Sequence, residues 1–144
     1  MRIMGIDPGE KRLGIATSDP SGIIANLLMV LKSTSRAINA ATIAQIALDK
    51  QAELIVVGQS LDEEGEPTAE GRRAQRLAEA IHQQTNIPVL LWDEGESTQM
   101  ARSASIAMGI SSRKRRSRGH HVDDLAATVI LQSYLDAQAS QGKP

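Results

Sequence analysis

The segment that determines the fold is RIMGIDPGEKRLGIATS, residues 2–18. Arg2–Asp7 is typical of a short buried strand, and Pro8-Gly9 ends it because proline and glycine favour turns. Arg12–Ser18 resumes as a second strand, and Ile23–Leu31 follows as a third after a Pro-Ser-Gly turn. Short turns between consecutive strands favour antiparallel pairing, so we expect the chain to begin with three antiparallel strands.

The apolar pattern changes to helical spacing over Ser35–Gln51. Farther on, the order is strand, helix, strand, helix, helix, at Leu54–Val57, residues 74–81, Val89–Trp92, Ser97–Met108 and Val122–Gln138. Strands separated by helices call for parallel crossovers, so the sequence predicts an α/β fold with a mixed five-stranded sheet flanked by helices. In such sheets, ligands bind beyond the carboxyl ends of the strands.

The length and composition limit the chemistry of the chain. Its 144 residues fit one domain, residues 1–139, with a polar tail at 140–144. Trp92 and Tyr134 are the two aromatic residues, so base stacking is almost unavailable and nucleic-acid binding would depend on charge and metal. The absence of cysteine excludes disulfides, thiolate catalysis and zinc held by cysteine. We find no signal peptide and no apolar run of membrane-spanning length, and we expect a cytoplasmic protein with no membrane partner.

The charges are unevenly distributed, although the formal net charge is −1. An acidic run lies between residues 62 and 66, and a basic run comprises Arg113, Lys114, Arg115, Arg116 and Arg118. A local basic field attracts a polyanion even when the total charge is near zero. A run of this kind is often only a solvated surface, but this one precedes the acidic start of the last helix. We therefore favour a role in binding nucleic-acid phosphate.

Acidic residues end two of the predicted parallel strands. Asp7 lies at the end of the first strand, although an aspartate before Pro-Gly is also ordinary turn chemistry. Asp93 and Glu94 follow the last strand, where alternation directs them to opposite sides of the sheet, so at most one should meet Asp7. The alternative for this pair is simple polarity at a strand end.

Two further aspartates open the last helix. Helical spacing aligns Asp123 with a mostly apolar face and Asp124 with a more polar one, and either residue suits an N-cap. A carboxylate at the head of a buried face needs a partner, and a cation would supply it. Oxygen ligands without cysteine suit Mg²⁺ or Mn²⁺ better than zinc. We expect His82 to be solvated, and we favour exposed loop positions over phosphate contact for His120 and His121.

Three segments resemble one known family. Residues 4–16, MGIDPGEKRLGIA, are similar to the opening of the YqgF/RuvX family of pre-16S rRNA nucleases, which were once described as Holliday junction resolvases. The segment LWDE at 91–94 and the blocks VDDLAA and ILQSYL within residues 122–135 match as well. The basic residues at 111–116 also lie where that family is basic, so the resemblance spans essentially the whole chain.

The resemblance implies an RNase H-like fold and a metal-dependent nuclease that trims the 5′ end of the 16S rRNA precursor. By position, Asp7, Glu94 and Asp123 match the family's three acidic residues and would hold Mg²⁺ or Mn²⁺. Lys11 and Arg12 match its basic pair and would contact substrate phosphate. The implied partners are RNA, or branched DNA, and a ribosomal precursor particle.

The chain departs from the family pattern at two places. Gly95-Glu96 stands where the family has Arg-Leu, so a guanidinium is missing and a carboxylate is added. Gln59-Ser60 stands where a Leu-Pro pair is usual. The loop that begins there, residues 59–69, borders the site in this fold and is either a gate or ordinary surface.

Three alternatives to a pre-rRNA nuclease follow from these observations. The first is an RNA-binding ribosome-assembly factor with weak or no catalysis, suggested by Gly95-Glu96. The second is a Holliday junction resolvase acting on DNA, which requires a homodimer, whereas the sequence is compatible with a monomer or a homodimer. The third, a sugar-kinase or actin-like ATPase, needs two domains around a cleft, and 144 residues cannot supply both.

Overall fold

A computed structural model describes residues 1–93 and the helix at 122–141, with side chains over 125–140 of that helix. The elements, in chain order, are β1 (Ile3–Pro8), β2 (Arg12–Ser18), β3 (Ala25–Lys32), α1 (Arg36–Asp49), β4 (Leu54–Gln59), α2 (Ala69–His82), β5 (Val89–Asp93) and α3 (Val122–Gln141). No helix among these residues is long and apolar enough to cross a membrane.

The five strands form one mixed sheet in the order β3-β2-β1-β4-β5. β1 pairs antiparallel with β2, and β2 pairs antiparallel with β3. β1 and β4 are parallel, as are β4 and β5. This arrangement confirms the predicted three antiparallel strands followed by parallel crossovers. It also makes β1 the central strand, and all six of its residues are buried.

Side chains of β1 alternate between two separate apolar cores. Met4 and Ile6 belong to the core that α1 and α2 cover, whereas Ile3 belongs to the core that α3 covers. Because alternate residues share a face of a strand, Gly5 and Asp7 lie on the α3 face together with Ile3. The strand therefore carries Asp7 on the side of the sheet that α3 occupies.

Two glycines allow α3 to lie close to the sheet. A Cβ atom added to Gly5 would be 2.7 Å from the Cβ of Leu131, and one added to Gly58 would be 2.6 Å from the Cδ1 of Ile130. Both distances are shorter than real Cβ contacts, so any larger residue would push against the helix. Gly5 and Gly58 thus fix how closely α3 approaches β1 and β4.

Two differences from the predicted boundaries have local causes. β3 begins at Ala25, two residues late, because the backbone N–H groups of Ile23 and Ile24 donate to the Asp19 carboxylate at 2.7 and 2.9 Å. α2 begins at Ala69, before its apolar stripe, because the Thr68 side chain caps it by accepting from the Gly71 N–H.

Other differences fall near the end of the chain. α3 continues to Gln141 and so includes the first two residues of the segment predicted as a polar tail. The predicted helix Ser97–Met108 lies outside the described residues.

Candidate active site at the carboxyl edge of the sheet

Asp7 is the penultimate residue of β1 and is 7% exposed. The turn that follows it is closed by the backbone, since the Gly9 N–H donates to the Asp7 carbonyl oxygen at 3.0 Å. A Cβ atom added to Gly9 would be 2.2 Å from the Arg12 carbonyl oxygen, so this tight turn requires glycine. The carboxylate is thus largely buried at the carboxyl edge of the central strand, which is the edge that the sequence predicts for it.

The strand register places Asp7 in a row with two glycines and Trp92. Asp7 is opposite Gly14 on β2, and one residue beyond the Ile6–Val57 pair it lies beside Gly58 on β4. Gly58 in turn is opposite Trp92 on β5. Both immediate neighbours of Asp7 in the row lack side chains, and Ile130 of α3 packs over Gly58, where its Cδ1 would be 2.6 Å from an added Cβ.

Trp92 anchors the end of β5 to α3. Its indole Nε1–H donates to the Ser133 Oγ at 3.1 Å, and its ring meets Tyr134 edge-on, with centroids 5.3 Å apart. The two aromatic side chains of the protein therefore pack against each other.

Asp93, the next residue, lies on the other face of the sheet. It is opposite Gln59, and the Gln59 Oε1 accepts from the Gln75 Nε2 of α2 at 3.2 Å.

The direction of α3 follows from contacts along its length. Ala127 lies over the middle of β1, with its carbonyl oxygen 3.4 Å from a Cβ added to Gly5. Farther along the helix, the Gln132 side chain accepts from the Ala25 N–H and donates to the Ile23 carbonyl oxygen, both at 2.9 Å. Ala25 starts β3 at the edge where β1 begins. The helix therefore runs opposite to β1, and its first turn lies toward the carboxyl end of that strand.

Because α3 runs opposite to β1, the backbone positions of Asp7 and Asp123 lie at similar distances, in the same direction, from the contact between Gly5 and Ala127. Asp123 precedes Ala127 by four residues, about 6 Å along a helix axis. Asp7 follows Gly5 by two residues, about 7 Å along a strand. Because Gly5 and Ala127 are within contact distance, the first turn of α3 and the end of β1 reach the same edge of the sheet.

The basic pair predicted after the first turn is exposed at this edge. Lys11 and Arg12 line a shallow cavity of about 510 Å³ together with Lys32 and Val30. Arg12 is opposite Lys32 in the β2–β3 register. Lys32 is not among the residues predicted for the site, although pairing the last residues of the third strand with the start of the second would have found it.

The remaining predicted site residues lie outside the described side chains: Glu94, Asp123, Arg113, Lys114, Arg115 and Arg116, together with His120 and His121. Within the described part of the chain, no three aspartate, glutamate or histidine side chains are grouped for a metal. His82 is exposed, as expected.

In the acidic run between residues 62 and 66, the Asp62 Oδ1 accepts from the backbone N–H groups of Glu64 and Glu66, both at 2.9 Å. Asp62 therefore organises its own loop.

Comparison with solved structures assigns the class of fold. Thermus thermophilus RuvC in complex with a Holliday junction substrate superposes with a TM-score of 0.62 at 18% identity, covering 100% of this chain and 99% of RuvC. The fowlpox virus Holliday junction resolvase gives 0.55 at 17% identity, with 95% and 99% covered. The fold is that of RNase H-like resolvases and nucleases.

Sequence comparison then assigns the family. A protein-family model for RuvX, described as Holliday junction resolvase, matches residues 1–137, and the chain belongs to the RuvX family. A Thermoanaerobacter pseudethanolicus protein is 37% identical over 98% of this chain and its own full length. A Syntrophus aciditrophicus protein is 37% identical over all of this chain and 94% of its own length. Both are named "Putative pre-16S rRNA nuclease", and the family is one of nucleases, hydrolases that act on ester bonds.

Proposed function

We propose that the protein is a metal-dependent nuclease that hydrolyses phosphodiester bonds at the carboxyl edge of its sheet, with Asp7, Glu94 and Asp123 as metal ligands. The observation that carries this proposal is the buried Asp7 carboxylate at the end of the central strand, at the edge that the first turn of α3 also reaches. Trp92 shares the face of Asp7 and Asp93 does not, so strand alternation predicts the Asp7 face for Glu94.

The donor chemistry of this edge fits a hard divalent cation. A nearby cation stabilises the charged form of a carboxylate that is only 7% exposed. Carboxylate oxygens suit Mg²⁺ or Mn²⁺ better than softer metals. When bound, a divalent ion activates water and stabilises the charge on a leaving oxygen.

The remaining residues of the proposed site position the substrate. Lys11 and Arg12 are exposed at the turn after Asp7, where their charges would bind phosphates next to the bond that is cut. The run Arg113–Arg116 precedes α3 in the sequence and would add contacts on the Asp123 side. Positioning by charge needs no base stacking, which agrees with the engagement of Trp92 and Tyr134 with each other.

The proposed substrate is the 5′ region of the 16S rRNA precursor, free or within a ribosomal precursor particle in the cytoplasm. The names of the two relatives, each 37% identical over nearly the whole chain, favour this RNA. The family description and the likeness to RuvC favour branched DNA as the second candidate, for which two copies of the chain would make paired cuts. A ribosome-assembly factor that binds RNA without cutting is the third, suggested by Gly95-Glu96.

The test compares two substrates under identical conditions. Purified protein is incubated with a labelled 16S precursor 5′ segment or a labelled four-way DNA junction, with Mg²⁺, Mn²⁺ or EDTA. We expect metal-dependent cleavage of the RNA at a defined position and little cleavage of the junction. Paired symmetric cuts in the junction with intact RNA would instead identify a resolvase, and RNA binding without product under any metal would identify the assembly factor.

A further inference from the structure

A second basic feature lies on the other face of the sheet from α3. A cleft of about 270 Å³ opens beside the β1–β2 turn, and its lining includes the three arginines Arg36, Arg73 and Arg76. Pro8 and Gly9 form part of the same wall, so the cleft begins at the residue after Asp7. Among the described residues of the lining, Glu10 is the one carboxylate.

None of the three guanidinium groups holds together the part of the fold that the structure describes. Arg2 and Arg72 donate to backbone carbonyl oxygens at 3.1 and 3.0 Å, whereas Arg36, Arg73 and Arg76 make no ion pair or hydrogen bond within the described part of the chain. Like charges brought together repel one another, and Glu10 sets a single negative charge against three guanidinium charges, so the described lining keeps an excess of positive charge that favours an anion. Guanidinium groups match phosphate oxygens in paired hydrogen bonds.

The floor of the cleft is held in a fixed shape. Asn39 is 8% exposed, and its Oδ1 accepts from the backbone N–H and the Oγ1 of Thr34 at 3.0 and 3.2 Å. Its Nδ2 donates to the Ser33 Oγ at 3.1 Å. Arg36 is the first residue of α1, whose first turn carries no acidic residue, so the positive end of the helix dipole adds to the field of the arginines. The cleft is therefore a preformed basic site.

The size and lining of the cleft restrict its ligand. Pockets for whole small molecules occupy about 300–1,000 Å³, so a cleft of about 270 Å³ suits a phosphate with part of its sugar. None of the lining residues is aromatic, so a base would find no surface on which to stack. A wider cavity of about 460 Å³ shares Arg36 and Arg76 and continues along α2, where its lining also includes Glu79, and it gives a nucleic-acid strand room to extend.

We propose that Arg36, Arg73 and Arg76 bind a backbone phosphate of the nucleic-acid substrate. This phosphate lies a short distance along the nucleic-acid chain from the phosphodiester bond that is cut at Asp7. This inference rests on the proposed function, because the bound polymer is the substrate. The nucleic-acid strand would cross the carboxyl edge of the sheet at the turn of Pro8 and Gly9. It would pass there from the face that α3 covers to the face that α1 and α2 cover. The cleft then fixes the register of the strand and supplies affinity without taking part in bond breakage.

The experiment measures how binding depends on salt, using two variants from which the same amount of charge is removed. Arg36→Gln/Arg76→Gln removes two exposed charges from the cleft, and Arg2→Gln/Lys50→Gln removes two at the opposite edge of the sheet. Fluorescence anisotropy in EDTA gives the Kd of each full-length protein for a labelled single-stranded RNA over a series of KCl concentrations. The slope of log Kd against log salt should fall by about 0.7 for each phosphate that the cleft variant no longer binds, and it should stay at the wild-type value in the control.

Cleavage and nucleotide binding separate the outcomes. The cleft variant should keep the wild-type kcat with a raised KM in Mg²⁺ or Mn²⁺. Equal slope changes in both double variants would overturn the inference and leave the nuclease in place. The inference would also be overturned if calorimetry showed that wild type binds a mononucleotide and the cleft variant does not, while both have the same salt slope for RNA. That result would assign the cleft to free nucleotides. Wild-type RNA binding without cleavage under any metal, with the slope change intact, would refute the nuclease and retain the cleft as an RNA-binding surface.

Discussion

Asp7 and Asp19 both stand before a proline near the end of a strand, but their surroundings differ. Asp19 follows β2, and its carboxylate accepts hydrogen bonds from the backbone N–H of Ile24, the Ser21 hydroxyl and the backbone N–H of Ile23, which together hold its pKa well below the ordinary value. Asp7 is buried within β1, and its turn is closed by its backbone carbonyl oxygen. The Asp-Pro pair therefore marks turn chemistry at residue 19 and a candidate ligand at residue 7.

The lowered pKa of Asp19 predicts a pH dependence of stability. A group whose pKa is depressed on folding stabilises the protein above its ordinary pKa of 3.8 and loses that contribution as the pH falls toward the folded value. The free energy of unfolding of wild type should therefore exceed that of Asp19→Asn at neutral pH, and the difference should shrink below about pH 4. Urea denaturation across that range measures it.

Ser21→Ala provides the companion variant, because it removes one of the hydrogen-bond donors to the Asp19 carboxylate. In that background, the pH-dependent difference in free energy of unfolding caused by Asp19→Asn should be smaller. A difference between wild type and Asp19→Asn that stays constant from neutral pH to well below 3.8 would contradict the assigned hydrogen bonds as its cause.

At the scale of the elements, the seating of α3 on β1 and β4 determines the geometry of the proposed site. The helix rests on Gly5 and Gly58, and Gln132 attaches its middle to the start of β3. Its first turn, which carries Asp123, lies one helical turn before Ala127, whose carbonyl oxygen would be 3.4 Å from a Cβ added to Gly5. Any residue that lifts the helix from Gly5 should therefore disturb the approach of the Asp123 position to Asp7.

The two glycines should differ in their tolerance of a methyl group. At Gly5 the added Cβ would meet the Cβ of Leu131, which cannot rotate away, so Gly5→Ala should lower the free energy of unfolding by about 1–3 kcal/mol. At Gly58 the nearest atom is the Cδ1 of Ile130, which can change rotamer, so Gly58→Ala should cost less. Urea denaturation followed by circular dichroism compares them.

A double variant tests the steric cause directly. Ile130→Val removes the clashing Cδ1, so Gly58→Ala should cost less in that background than in wild type. An equal or smaller loss of stability at Gly5 than at Gly58 would show that α3 does not rest on Gly5 as described.

At the scale of the whole molecule, the topology could be predicted because its signals are local. Two Pro/Gly turns within the first 22 residues indicate antiparallel strands, and the change to helical spacing after residue 34 indicates crossovers. The start of α2 could not be predicted in the same way because its signal is the Thr68 cap without a capping-box glutamate, since Gly71 occupies that position.

The candidate site was only partly predictable for a related reason. Asp7 and the basic pair Lys11 and Arg12 flank a turn that the sequence displays. Arg36, Arg73 and Arg76, by contrast, are up to 40 positions apart and converge only because α1 and α2 cover the same face of the sheet. Each alone looks like an ordinary solvated helix residue, so only packing reveals the cleft.

The central claim, that Asp7 serves a metal-dependent cleavage site, is tested most directly by cleavage with Asp7→Asn beside Asp19→Asn. Both variants replace an aspartate that precedes proline with its neutral isostere, but Asp19 lies at the opposite edge of the sheet. With Mn²⁺ and the 16S precursor segment, wild type and Asp19→Asn should cut the RNA. Asp7→Asn should fold and bind RNA without cutting, and EDTA should stop all cleavage. Cleavage by Asp7→Asn at the wild-type rate, or its failure to fold, would contradict the account.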